Sequence, residues 1–465
     1  MRDINFMLLG LATALLSACG GGGGSGETAA LTSSATSPYP SAAASCSVPD
    51  QRAWLRDYMI DQYFWYDRQG VPNENATSMA QFFSSLLAVG LDRYSGSQST
   101  TQFLQINQDG KSLGFGYQLA WADAAQTQLR FRVVEPLSPL GLAGVGRGDR
   151  VIRIDGFTPI EIAAGALSGV SSAGISRQFL VEDSMLAQRT VTVNSAEYAI
   201  SPVLHSSILM ASNGAKVGYL VYQEFNATGA TALGAAIQSF RSAGISELVL
   251  DLRYNGGGSA TQARNVASLV GGATLNGQVF AQYRFNAKYT HNNVVQTFTS
   301  SPLTLPARPL AGLSRVVVIA SGGTASASEM VINGLKPYMP VILIGSTTFG
   351  KPFGSQPRDS CGTTYSAINI EISNALGFAN FTQGFAPTCA MNDDVTKPWG
   401  DPAELRTAAA LTYIATGACP AVAELTTARL AAARANSATR SPGSGDAPTS
   451  ERAFGEILPP RAWVD

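Results

Sequence analysis

Four short apolar runs recur in the second half of the chain: Val217-Gly218-Tyr219-Leu220-Val221-Tyr222, Glu247-Leu248-Val249-Leu250-Asp251-Leu252-Arg253, Val316-Val317-Val318-Ile319-Ala320 and Val341-Ile342-Leu343-Ile344-Gly345. Helix-compatible segments such as Thr231 to Ala243 lie between them. Strands that alternate with helices leave an α/β layer arrangement as the fold for this part of the chain. The third run ends in Ser321-Gly322-Gly323-Thr324-Ala325-Ser326-Ala327-Ser328-Glu329-Met330, which reads as a strand turning into a helix. Small residues at such a turn let a hydroxyl stand at a helix N-terminus. Free backbone N–H groups and the positive dipole end there would stabilise a developing oxyanion. Ser326 is the candidate nucleophile.

A serine needs a base to attack at neutral pH, and neither His205 nor His291 has a sequence context that suggests one. Lys351, 25 residues beyond Ser326, lies in Thr348-Phe349-Gly350-Lys351-Pro352 just after the fourth run. Burial there would lower its pKa and leave a neutral amine to take the Ser326 proton, a Ser-Lys form of the triad logic. The bland alternative makes Ser326 a helix cap and Lys351 a solvated loop charge.

Ser326-Ala327-Ser328-Glu329 followed at that spacing by Gly350-Lys351 resembles the C-terminal processing (tail-specific) peptidases. The resemblance runs from about Cys46 to Cys419. It implies a Ser326–Lys351 dyad on a crotonase-like α/β core with an inserted PDZ domain. The glycine loop Asp251-Leu252-Arg253-Tyr254-Asn255-Gly256-Gly257-Gly258-Ser259 is similar to the family's oxyanion loop. On that match the oxyanion donors are the amides of Gly257 and Ala327. Two positions depart from the family pattern. The glutamine often found four residues after the lysine is replaced by Ser355, with Gln356 following, and an aspartate of some members is Pro337 here.

Leu113-Gly114-Phe115-Gly116 resembles a PDZ carboxylate-binding loop, and Ser138 to Val145 with Gly148-Asp149-Arg150-Val151-Ile152-Arg153-Ile154-Asp155-Gly156 resembles the core of such domains. Backbone N–H groups of that loop would hold a chain-terminal carboxylate while the peptide adds a strand to the sheet edge. A glycine-rich hairpin without ligand is the alternative. Before this unit, the spacing of Leu55, Met59 and Tyr63, and then of Met79, Phe82, Phe83, Leu86 and Leu87, predicts two amphipathic helices of a small N-terminal bundle.

The first 18 residues, with one early arginine and an apolar segment Phe6 to Ala12, read as a signal peptide too short to span a membrane. Leu16-Ser17-Ala18-Cys19 looks like a bacterial lipobox, which implies lipid attachment to Cys19; a plain secretory signal is the alternative. Gly20 to Gly24 and the Ser/Thr/Ala-rich run after it would tether the body to the membrane. The remaining cysteines, Cys46, Cys361, Cys389 and Cys419, suggest two disulfides in an exported protein. Three pairings are possible. Cys361 with Cys389, which flank one strand-rich segment, and Cys46 with Cys419, which bracket the body, are favoured; metal ligation is the weaker reading because no C-x-x-C is present.

The organisation is therefore a signal peptide (1–18), a lipidated tether (19–45), a helical domain (46–107), a PDZ-like domain (108–200), a Ser-Lys peptidase domain (201–420) and a helical then disordered tail (421–465). A net charge of −1 with no long basic run argues against nucleic acid as partner. The leading expectation is an exported lipoprotein serine endopeptidase needing no cofactor or metal. It would face the periplasm from the bacterial outer membrane or lie at the cell surface, and act on proteins or peptides with free C-termini. The alternative is a lipoprotein that only binds peptide ends. Acyl-CoA chemistry on a crotonase-like core is disfavoured by export to a compartment without that cofactor.

Overall fold

The computed structural model describes residues 41–420 apart from 168, 171 and 303–307. The signal peptide, Cys19, most of the tether and the tail 421–465 lie outside the described residues. Six strands form the central sheet in the order Cys389–Ala390, Val341–Gly345, Val316–Ala320, Glu247–Asp251, Lys216–Tyr222 and Val203–Met210. All adjacent pairs are parallel except the last, where Val203–Met210 runs antiparallel to Lys216–Tyr222. Every residue of Val316–Ala320 is buried, as expected of a strand covered by helices on both faces. The helices Ala230–Ala243, Ala260–Gly271 and Ala327–Leu335 connect the parallel strands. Leu405–Thr416 lays Ala409, Ala410 and Ile414 against Val217, Val249, Val317 and Ile344.

A four-stranded antiparallel sheet, ordered Val294–Thr297, Val279–Phe285, Ile368–Ser373 and Phe353–Ser355, carries the segment that follows Lys351. The helices Val48–Gln62 and Met79–Ser85 form as the apolar spacing predicts, with Ser47 and Ser78 as side-chain caps. They do not make a bundle of their own. Trp54, Leu55, Tyr58, Met59, Phe82 and Phe83 share one core with Phe353, Tyr365, Ala367 and Ile368. Two short helices cannot close a core by themselves, and the strands some 300 residues later supply the missing side.

Between them stands a five-stranded antiparallel unit, ordered Tyr117–Trp121, Leu129–Val134, Arg150–Ile154, Ser176–Glu182 and Gln188–Asn194. Phe115, Phe131, Leu140, Val151, Ile154 and Phe179 fill it. The chain enters along Lys111–Gly114 and leaves along Ala196–Ala199, and those two strands pair antiparallel, so the unit is inserted through adjacent ends.

The disulfides differ from the favoured pairing. Cys46 is bonded to Cys361 and Cys389 to Cys419, each with its Cα atoms 5.5 Å apart. Cys361 sits at the tip of the hairpin Arg358–Ser360 and Thr363–Ser366, which docks on Gly96–Ser99 beside the N-terminal helices. Cys389 lies on the edge strand of the central sheet, where the helix Leu405–Thr416 returns the chain to Cys419. The residues that flank a segment in sequence are thus held apart by the sheets to which each belongs.

Candidate active site

Ser326 stands where the strand Val316–Ala320 gives way to the helix Ala327–Leu335, with φ 53° and ψ −115°. A non-glycine residue tolerates that left-handed φ only when its surroundings impose it. They do. The Ala325 N–H and the Ser328 hydroxyl both donate to the Asn255 carbonyl, at 3.1 and 2.9 Å, and the Thr324 hydroxyl donates to Leu252 O at 2.7 Å. Ser321 bonds Arg253 O. The Ser326 turn is fastened residue by residue to the loop that precedes the glycines.

Gly257 is required by the same contact, and Gly258 by the approach of Phe225. A Cβ on Gly257 would lie 2.8 Å from Ser326 Cβ and 3.2 Å from the Ala327 nitrogen, and one on Gly258 would lie 2.2 Å from Phe225 O. Both have positive φ, 117° and 131°. Gly257 and Ala327, the two expected donors, are thereby brought together at Ser326. The Gly257 N–H already has a partner, however: it donates to Asn255 Oδ1 at 2.9 Å.

Lys351 is 4% exposed. Burial pulls its ammonium down to a pKa of about 8, against the opposing pull of the Asp92 and Glu329 charges. The link between Lys351 and Ser326 is Glu329, which is fully buried. Its Oε2 accepts the Ser326 N–H at 3.1 Å and the Lys351 N–H at 2.8 Å. Its Oε1 accepts the Gly350 N–H at 2.7 Å and the Thr348 hydroxyl at 2.5 Å. Burial raises the Glu329 pKa, and these donors pull it back. One carboxylate thus holds the backbones of both candidate catalytic residues. Glu329 lies within the serine motif, and the sequence alone assigns it no role. The available signal was the Ser-x-x-Glu spacing of a helix-capping box.

Gln356 sits just past the short strand Phe353–Ser355 and donates its backbone N–H to Asn369 Oδ1 at 3.0 Å. Ser355 is fully buried, and among the described residues its hydroxyl has no hydrogen-bond partner. Pro337 follows the nucleophile helix, which ends at Leu335.

The glycine loop is also tied to the inserted unit. Arg253, buried to 1%, binds Glu404 through both Nη atoms at 3.0 Å, Asp393 at 2.8 Å and Asp251 at 2.7 Å. Arg147, from the inserted unit, reaches Asp393 at 3.1 Å, the Tyr254 hydroxyl at 3.1 Å and Lys397 O at 3.1 Å. Asp393 is held far below the usual carboxylate range by Arg406, Arg253 and Arg147, in spite of its burial. A cluster so balanced is stable as a whole and costly to open one member at a time.

In the inserted unit Leu113 and Gly114 pair with Glu197 and Ala196. Phe115 is buried edge-on to Phe179. Gly114 and Gly116 have φ 145° and 77°, and a Cβ on Gly116 would lie 2.1 Å from Ser138 Cβ. The strand that follows, Tyr117–Trp121, is an edge of its sheet.

Residues 216–377 match the profile of peptidase family S41. A carboxyl-terminal-processing protease from Picosynechococcus is 27% identical over 312 residues, which span 64% of this chain and 70% of that protein. The chloroplastic carboxyl-terminal-processing peptidase 2 of Arabidopsis thaliana is 27% identical over 249 residues, 52% of this chain and 45% of its own length. Among solved structures, an S41 protease from Bacteroides fragilis superposes with a TM-score of 0.64 at 26% identity, covering 78% of this chain and 97% of that one.

Proposed function

We propose, for this serine-type peptidase of family S41, that Ser326 and Lys351 form a Ser-Lys dyad served by the Glu329 carboxylate. The observation that carries the reading is the buried Glu329, which accepts the N–H groups of Ser326 and Lys351 on one oxygen. Above about pH 8 the Lys351 amine is neutral. It removes the Ser326 proton as Oγ attacks the scissile carbonyl, and the new C–O bond gives a tetrahedral oxyanion. Lys351 then hands its proton to the leaving amine as the C–N bond breaks. Water, deprotonated by the same amine, hydrolyses the acyl-enzyme. The Ala327 N–H at the helix N-terminus is one oxyanion donor. Gly257 is the second, and it serves when its N–H exchanges Asn255 Oδ1 for the substrate oxygen.

The inserted unit is read as a PDZ-like domain. Its glycine-built Leu113-to-Gly116 loop would take a substrate's terminal carboxylate, and the edge strand Tyr117–Trp121 would pair with the preceding residues. On the lipobox reading of Cys19, the same proposal makes the enzyme an exported lipoprotein of the bacterial outer membrane, facing the periplasm or at the cell surface, that cleaves proteins with free C-termini. The test is covalent labelling of the purified chain with a fluorophosphonate, followed by mapping of the modified residue. Modification of Ser326 that is lost in Lys351→Met supports the dyad. Absence of labelling in the unmodified chain would leave the non-catalytic, peptide-binding reading.

A further inference from the structure

The Lys351 loop is gripped from a part of the chain that no motif marks. The Arg93 guanidinium donates through Nη2 to Phe349 O at 2.7 Å and to Thr382 O at 3.0 Å, and its Cζ lies 4.5 Å from the Phe349 ring centroid. The Tyr94 hydroxyl donates to Gly350 O at 2.9 Å. The two carbonyls just before Lys351 are thus both claimed by adjacent residues 256 positions earlier in the chain. Asp92, next in line, is itself immobilised: Oδ1 accepts the N–H groups of Tyr94 and Ser95, and Oδ2 accepts the Tyr63 and Ser95 hydroxyls.

We propose that Asp92-Arg93-Tyr94 is a positioning brace for the general base, in which Arg93 and Tyr94 fix the Phe349 and Gly350 carbonyls and Asp92 anchors Tyr94 and Ser95 behind them. The proposal rests on the Ser326–Lys351 reading. Glu329 holds the N–H side of the same loop, at Gly350 and Lys351, while the brace holds its carbonyl side. Between them the loop has little freedom to carry Lys351 away from Ser326. Thr382 O would lie 2.4 Å from a Cβ on Gly350, so Arg93 also binds the segment that covers the loop. Small displacements of a catalytic group cost rate steeply, which gives such a brace its effect.

The charged groups about Lys351 are Glu329 from the nucleophile helix and Asp92 and Arg93 from the brace, with Tyr63 and Tyr94 as further titratable neighbours. Removing the Asp92 charge leaves Glu329 in place. The ammonium of Lys351 then has one attractive neighbour fewer, and the neutral amine persists to lower pH. Fluorophosphonate phosphonylation of Ser326, in which Oγ displaces fluoride from phosphorus, followed from pH 6 to pH 10 in the full chain, reads this directly. Asp92→Asn moves the acid limb of the rate profile to lower pH. Tyr94→Phe and Arg93→Met lower the plateau rate and kcat for a peptide by about 10- to 100-fold, with KM nearly unchanged. Arg93→Lys fails to rescue, because one ammonium cannot reproduce the guanidinium fork. A wild-type acid limb in Asp92→Asn, with wild-type rates in Tyr94→Phe and Arg93→Met, overturns the brace. Should Asp92→Asn not fold, Tyr94→Phe, which removes a single oxygen, decides the matter alone. Lys351→Met separates the two readings: its inactivity alongside wild-type behaviour of the brace variants removes only the brace, and its activity removes the dyad on which the brace depends.

Discussion

Lys351→Met should make the protein more stable while abolishing catalysis. In the folded chain the amine falls from its ordinary 10.5 to about 8 because burial penalises the cation. At about 1.36 kcal/mol for each pH unit, that fall corresponds to about 3 kcal/mol. The sign follows from proton binding. Between pH 8 and 10.5 the unfolded chain holds more protons at this site than the folded one, so stability rises with pH across that window. Below pH 8 both states are protonated and the full penalty stands. Methionine keeps much of the aliphatic length and removes the charge, so the variant should gain about 3 kcal/mol at pH 7. That gain should shrink toward zero as pH approaches 10.5. Thermal unfolding of both proteins from pH 6 to 10.5 measures the difference at each pH. A variant no more stable than the parent at pH 7, or a gain that is constant to pH 10.5, would refute the claim that this amine is held desolvated.

Four further outcomes are expected. Glu329→Gln places an NH2 group where N–H donors converge, so kcat should fall by at least about 100-fold, and the rate of fluorophosphonate labelling of Ser326 reports it. Arg147→Ala leaves Asp393 and Tyr254 short of a partner, which should lower stability by about 2 kcal/mol and depress turnover. An unchanged melting curve and kcat would remove Arg147 from the coupling. Amidating the C-terminus of a peptide substrate removes a charge-assisted bond worth about 1.5–3 kcal/mol. Cleavage efficiency should drop by roughly 10- to 100-fold, whereas equal rates would leave the inserted unit without a carboxylate site. Cys19→Ser should lack acyl label and leave the membrane pellet, and its retention there would count against the lipid anchor.

The α/β half of the chain is legible because its signals are local. The runs at Val316 and Val341 are apolar throughout, as buried parallel strands must be, and each ends in a turn whose small residues show a constrained backbone. What escaped depends on pairings distant in sequence. Cys46 meets Cys361 only because the hairpin at Arg358 docks on Gly96–Ser99, and no local pattern states that register. Trp54 and Phe83 have the periodicity of bundle helices, yet Tyr365 completes their core. Arg93 and Tyr94 belong to no motif, and only the fold brings Phe349 and Gly350 to them. Glu329 was in view, but a carboxylate with four donors from two loops cannot be told from an ordinary helix cap without its partners.

The two disulfides also determine how the body carries tension. A pull applied between residues 41 and 420 passes along the backbone to Cys46, crosses to Cys361, continues to Cys389 and crosses again to Cys419. The span from 47 to 360, with Ser326, Lys351 and the whole inserted unit, is shunted out of the load path. So is the helix Leu405–Thr416. The force falls on residues 362–388, which include the strand Ile368–Ser373 and the Thr382–Gly384 turn against Gly350. Stretching by the ends would therefore load the cover of the Lys351 loop, while the strand Val316–Ala320 and the turn at Ser326 stay outside the load path.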